Sequence, residues 1–163
     1  MQEKGVASLS FRELAARLGI KSSSVHYYFP QKDDLILAVA QQYASVVQEN
    51  LAIRTEKLKP GKPRLLALLD LIQENIQNRF CTAGVLAVES AYVPPAAQVV
   101  VRGFFDALQT WIREQLTAAG KKGKDADMHA SVLLTAIEGS LMLDSLESGA
   151  GHLTKLREFV QTL

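Results

Sequence analysis

Cysteine is nearly absent from this chain: Cys81 stands alone among 163 residues. No internal disulfide can form, and a reducing, cytoplasmic setting is the natural expectation. Long apolar runs are missing as well. Stretches such as Val99 to Val101 or Ser140 to Leu143 fall far short of the roughly 20 residues that cross a bilayer. No charged segment followed by an apolar one opens the chain as a secretory signal would, so no membrane partner is expected. Charge of one sign is scarce too, since 18 basic and 17 acidic residues leave a net +1. That balance excludes the strongly basic kind of non-specific nucleic-acid binder, and any DNA affinity has to come from a local patch and from dimerisation. Strand-type alternation and internal repeats are lacking. So are glycine-rich phosphate loops and paired metal-ligand motifs, and His26, His129 and His152 are scattered; neither an enzyme, nor a metal, nor a cofactor is expected. Asp125-x-Asp127-x-His129 has the look of a metal site, but helix capping plus solvated charge explains it better.

What is present is helical periodicity. The content of 48% apolar and 21% charged residues is that of an ordinary globular protein, long enough for one domain or a small module joined to a larger one. The stretch Ser10 to Leu35, SFRELAARLGIKSSSVHYYFPQKDDL, organises the rest. Before it, Met1 to Gly5 reads as the last turn of a helix stopped by Gly5, as though the chain starts late. Ser10 and Glu13 form a capping box. Leu14, Ala15 and Leu18 give a first helix its apolar face, Gly19 ends it, and Ile20 plugs the turn. Ser22, Ser23 and Ser24 offer a cap and a first turn, and Val25 with Phe29 anchors the second helix. After Pro30 one long amphipathic helix runs from Lys32 to about Arg54, with Asp33 and Asp34 at its positive end. Further helices are expected over Arg64–Phe80, Thr82–Tyr92, Ala96–Ala119, Ala126–Leu146 (capped by Asp125) and His152–Leu163. The fold class is all-α, about eight helices. An N-terminal helix-turn-helix module at 1–36 is joined by the long helix to a larger helical part at 37–163.

A helix-turn-helix lays its second helix in the major groove while the first crosses the backbone. Ser22, Ser23, His26 and Tyr27 point outward here, with Ser24 near the helix start. Serines fit several bases and discriminate weakly, and Arg12 and Lys32 stand where helix starts hold phosphate. Spacing alone leaves a plainer reading open, because glycine-linked helix pairs are common in all-α proteins and tyrosines beside a phenylalanine are often core.

The whole string LSFRELAARLGIKSSSVHYYFPQKDDL resembles the DNA-binding domain of the TetR family of bacterial transcriptional regulators. Leu14-Ala15, Leu18-Gly19-Ile20, Val25, Tyr28-Phe29, Lys32 and Leu35 stand at the positions of its pattern. Ala136-Ile137-Glu138-Gly139 and the closing helix look like its regulatory core, more weakly. The resemblance implies a ligand-responsive regulator, a repressor that releases double-stranded, palindromic operator DNA when a small apolar effector binds. DNA contacts are then expected from Ser10, Phe11, Arg12, Ser22, Ser23, Ser24, His26, Tyr27, Tyr28 and Lys32. A pocket in the middle helices is expected from Phe80, Cys81, Val85, Val88, Tyr92, Phe104, Phe105, Leu108 and Trp111, although each of these also reads as core packing. A homodimer is implied through the last two helices, at Leu133, Ile137, Gly139, Ser140, Leu141, Leu156 and Val160. The apolar run from Val132 to Leu143 agrees, since a monomer would leave one of its faces wet.

Two departures stand out. His26 occupies a place where the family usually has tyrosine, and the family has a complete helix before Gly5, so this chain as given is expected to bind operator poorly. Two alternatives stay open. Cys81, opening a helix, reads either as a low-pKa thiol sensing electrophiles or oxidants or as a small buried hydrophobe. The whole protein also reads as a helical adaptor that no longer binds DNA. A gel shift on the DNA upstream of its own gene separates regulator from adaptor: a regulator gives a complex that weakens steeply with salt as counterions are released, and an adaptor gives none.

Overall fold

A computed structural model describes residues 5–76, 80–146 and 151–163. Its elements are α1 (Phe11–Leu18), α2 (Ser22–Tyr28), α3 (Lys32–Thr55), α4 (Lys62–Ile76), α5 (Thr82–Val88), a 3-10 turn (Ser90–Tyr92), α6 (Pro95–Ala118), α7 (Gly123–Leu146) and α8 (His152–Thr162). Among the described residues there is no strand, and the all-α expectation holds. The helical turn expected over Met1 to Gly5 falls mostly outside them.

Local chemistry accounts for most boundaries. The Ser10 hydroxyl accepts the Glu13 N–H at 3.4 Å and starts α1. Gly19, left-handed at φ 67°, closes it by donating to the Ala15 and Ala16 carbonyls. The expected serine cap on α2 is not observed: Lys21 is the extended residue before the helix and Ser22 is already helical, so its hydroxyl sits inside the first turn. At α3 the Asp34 carboxylate reaches back to accept the Gln31 N–H at 2.9 Å. Pro95 opens α6, where its fixed φ suits the first helical position. Asp144 of α7 caps α8 in place of a side chain at Gly151, accepting the His152 and Leu153 N–H groups at 2.8 and 3.0 Å. Helix α7 begins earlier than the sequence suggests, which puts Asp125 in its first turn rather than at its cap. There it lies 3.1 Å from His129 Nδ1, while Asp127 pairs with Arg113. No group of three or more metal-ligating side chains gathers among the described residues.

Two cores result. The small one joins α1, α2 and the start of α3 through Phe11, Ala15, Val25 and Leu35, with Leu14 and Phe29 against it. Leu18 and Ile20 stay exposed, contrary to expectation, because α1 meets its neighbours through Phe11 and Ala15, a turn short of them. The large core is built on Leu65, Leu68 and Leu69 of α4, Leu86 of α5, Ile112 and Leu116 of α6, Ile137 of α7 and Val160 of α8. Helix α3 carries Leu35 into the small core and Ile36, Ala40 and Leu51 into the large one. Arg54–Glu74 (2.7 Å) ties α3 to α4, and Arg157–Asp70 (2.7 Å) ties α8 to α4. Buried Gln115 accepts the N–H of Gly61 at 3.2 Å and so holds the turn before α4.

The helical period also corrects the dimer expectation. Leu133, Ile137, Ser140, Leu141 and Val160 are buried in the chain's own core, and Leu156 packs against it. The apolar residues that α7 leaves exposed are Met128, Val132, Met142, Leu143 and Leu146, joined by Phe159 of α8.

A Cβ added at Gly19 would meet nothing within 4 Å, so Gly19→Ala costs only the left-handed backbone. Chemical denaturation is expected to show a loss of about 1 kcal/mol.

Candidate DNA-facing helix and effector cavity

The outer face of α2 carries aromatic side chains that serve no core. Tyr27 is 80% exposed, and its ring stands edge-to-face with that of Tyr28 at 5.1 Å. Ser23 and His26 are exposed and Ser22 and Ser24 half-buried, while Arg12 and Lys32 are exposed at the starts of α1 and α3. His26 is held in place, its ring packed edge-on against Phe11 at 4.7 Å. Phe11 corrects the expectation: only 8% exposed, it supports this surface from beneath rather than touching a ligand. Ser10 is occupied in capping α1.

Behind α5 lies a cavity of about 610 Å³, walled by Phe80, Cys81, Gly84, Val85 and Val88 on one side, Phe105 of α6, and Leu134, Thr135, Glu138, Gly139, Leu141 and Met142 of α7. A smaller one of about 160 Å³ is lined by Tyr43, Leu68, Ile72, Phe104, Leu108 and Ile137. The two share Cys81, Glu138 and Leu141. Of the residues expected in a pocket, Phe80, Cys81, Val85, Val88, Phe104, Phe105 and Leu108 line one or the other, Val88 at the rim with 87% exposure. Tyr92 and Trp111 line neither; Tyr92 faces outward beyond α5, and Trp111 packs against the large core. Gly139, expected at a partner's surface, is part of the cavity wall.

A short polar chain separates the cavities. The Tyr43 hydroxyl lies 3.3 Å from Cys81 Sγ, which also accepts the Gly84 N–H at 3.4 Å as the cap of α5. The Glu138 carboxylate comes so close to α5 that a methyl group at Gly84 would stand 2.6 Å from its Oε2. Burial pushes the Cys81 thiol up to about 12, reinforced by the neighbouring carboxylate of Glu138. The lowered thiol pKa expected of a helix start is thus reversed: the bonds from Tyr43 and Gly84 do lower it, but desolvation and Glu138 outweigh them. Burial also raises the Glu138 carboxyl and the Tyr43 phenol.

A second carboxylate does something different. Glu89, in the cavity wall just past α5, accepts the N–H groups of Val6 and Ala7 at 2.8 and 3.1 Å. The wall is therefore bonded to the segment that leads into α1. Sequence reading missed Tyr43, Glu89 and Glu138. A signal existed for Glu138 alone, the single charge in the run from Val132 to Leu143.

A helix-turn-helix head thus sits on a helical body with an apolar pocket open to solvent beside α5. Residues 1–39 match the model of bacterial regulatory proteins of the tetR family, and residues 65–158 match that of the LmrA/YxaF-like transcriptional regulator C-terminal domain. The chain belongs to the TetR family. It is similar to a TetR transcriptional regulator from Legionella pneumophila at 25% identity and TM-score 0.91, over 99% of this chain and 89% of that one. A TetR-family regulator from Agrobacterium tumefaciens aligns at 22% identity and TM-score 0.87, over 98% and 88%. A transcriptional regulator from Saccharomonospora viridis, solved in complex with choline, aligns at 17% identity and TM-score 0.75, over 99% and 87%. Comparison with curated proteins returned no match. No described helix is long and apolar enough to cross a membrane.

With its thiol pushed up to about 12, native Cys81 is expected to resist iodoacetamide at pH 8 and to react once the protein is unfolded, because only the thiolate is nucleophilic. Rapid alkylation of the folded protein, read by mass spectrometry, would contradict the geometry.

Proposed function

We propose that this protein is a cytoplasmic, homodimeric repressor that releases palindromic operator DNA when a small molecule enters the cavity beside α5. The observation that carries this reading is the Glu89 bond to Val6 and Ala7, which joins the cavity wall to the chain entering the DNA-facing unit. A ligand that moves α5 acts on the head through that bond, shifting the population away from the spacing that fits successive major grooves. The head is residues 1–36 and the regulatory body 37–163. Ser22, Ser23, Ser24, His26, Tyr27 and Tyr28 face the groove; Arg12 and Lys32 hold phosphate, and Ser10 shapes the first turn near it. Dimerisation uses the exposed stripe of Val132, Leu143 and Leu146 with Phe159. An uncovered apolar stripe of this kind calls for a partner, and an isologous pairing supplies one.

The thiol-sensor alternative loses ground because Cys81 is buried with a raised pKa. Selection from random duplex DNA tests the favoured reading. A two-fold symmetric sequence is expected to be enriched, with Tyr27→Ala weakening its binding by about tenfold, the order of one to two lost contacts. Enrichment of an asymmetric half-site alone would refute a dimeric reader.

A further inference from the structure

The walls of the two cavities are unbalanced in charge. Among their described lining residues there is no lysine, arginine or histidine, but there are two glutamates. Glu89 is answered by the N–H groups of Val6 and Ala7. Glu138 is not answered in this way. None of the ion pairs among the described residues involves it, and its polar neighbour is the Cys81 thiol, a weak donor. A carboxylate partly withdrawn from water gains from a positive charge or strong donors that offset its lost hydration, and half-buried Glu138 lines both cavities.

The groups around it suit one kind of guest. Phe80 and Phe105 share the larger cavity with Glu138. Tyr43 and Phe104, their rings 5.6 Å apart, line the smaller. Aromatic faces attract cations through the negative charge over the ring, most strongly where water is excluded. Val85, Leu134, Leu141 and Met142 add apolar wall to the larger cavity. A cavity of about 610 Å³ accommodates a drug-sized molecule.

We propose that this cavity binds an amphipathic organic cation, an alkyl- or arylamine or ammonium whose nitrogen rests against Glu138 and whose apolar body lies along Phe80, Phe105 and Met142. The proposal rests on the reading of this cavity as the effector site and narrows the expected apolar effector to a cationic one. A neutral guest would strip water from Glu138 and return at most one uncharged hydrogen bond, weaker than the charge-assisted bond of an ammonium. An anion would meet two carboxylates and no cation.

Calorimetry on the free protein with three probes of one shape tests the proposal: 4-phenylbutylamine, 4-phenyl-1-butanol and 4-phenylbutyrate. The amine is expected to bind at least tenfold more tightly than the alcohol, and the carboxylate not measurably. In Glu138→Gln the amine is expected to lose that advantage while the alcohol is unchanged. Equal affinity of amine and alcohol for the unmodified protein, or an undiminished amine preference in a folded Glu138→Gln, would overturn the proposal. If the variant does not fold, the ratio in the unmodified protein decides alone. Because DNA is absent from the measurement, amine binding that fails to release operator would overturn the effector reading and uphold the cation site.

Discussion

The DNA-facing unit has a core of four buried residues, Phe11, Ala15, Val25 and Leu35, and a core so small cannot hold three helix segments against their conformational entropy. What holds it is α3, a 24-residue helix, about 36 Å long at 1.5 Å per residue, whose first turns belong to the small core and whose middle belongs to the large one. Because helices are stiff, the position of Tyr27 and Tyr28 is set by how α3 lies on α4 and α6. Any ligand that repacks those helices moves the reading surface with them.

Glu89 gives that linkage a second strand. Its carboxylate binds the backbone just before α1, and its approach is so close that a Cβ at Gly5 would stand 2.1 Å from Oε1. A side chain there would push the Glu89 carboxylate off these bonds, and the left-handed φ of 76° is one that other residues rarely adopt. The head is thus tied to the body at two places, the stiff helix and this carboxylate, and the cavity lies beside the second. Interior electrostatics of the body follow from the same packing. The layer of Tyr43, Cys81 and Glu138 places three ionisable groups among apolar side chains, and burial drives all three toward their neutral forms. Cys81, so suggestive at a helix start, is therefore expected to be a poor nucleophile in the folded protein, and Glu138 is the polar group the proposed guest would meet.

Much of this was legible along the chain. Helix α3 emerged from its periodicity and its first-turn aspartates, and Gly19 was recognisable as a left-handed stop because nothing else in the turn tolerates that conformation. Outward-facing Tyr27 and Ser23 followed from the Val25–Phe29 pair, since anchoring one face of a short helix leaves the other to solvent. The residues that went astray share a cause. Phe11 was assigned to DNA, Ile20 to the turn, and Leu133 and Leu141 to a partner, each on the strength of its type and place in a repeat. Which side of a helix is covered depends on where its neighbours pass.

Composition, capping signals and the 3.6-residue repeat are local properties, and they determined that this protein is all-helical, where its helices run and that its first part is a helix-turn-helix. Only the tertiary structure decided which face of α7 is interior, that Glu138 shares a cavity with Phe80 and Phe105, and that Glu89 reaches across 83 residues to Val6. Those are distances between segments remote in sequence, set by side-chain packing among α3, α5, α6 and α7, and no periodicity within a single segment encodes them.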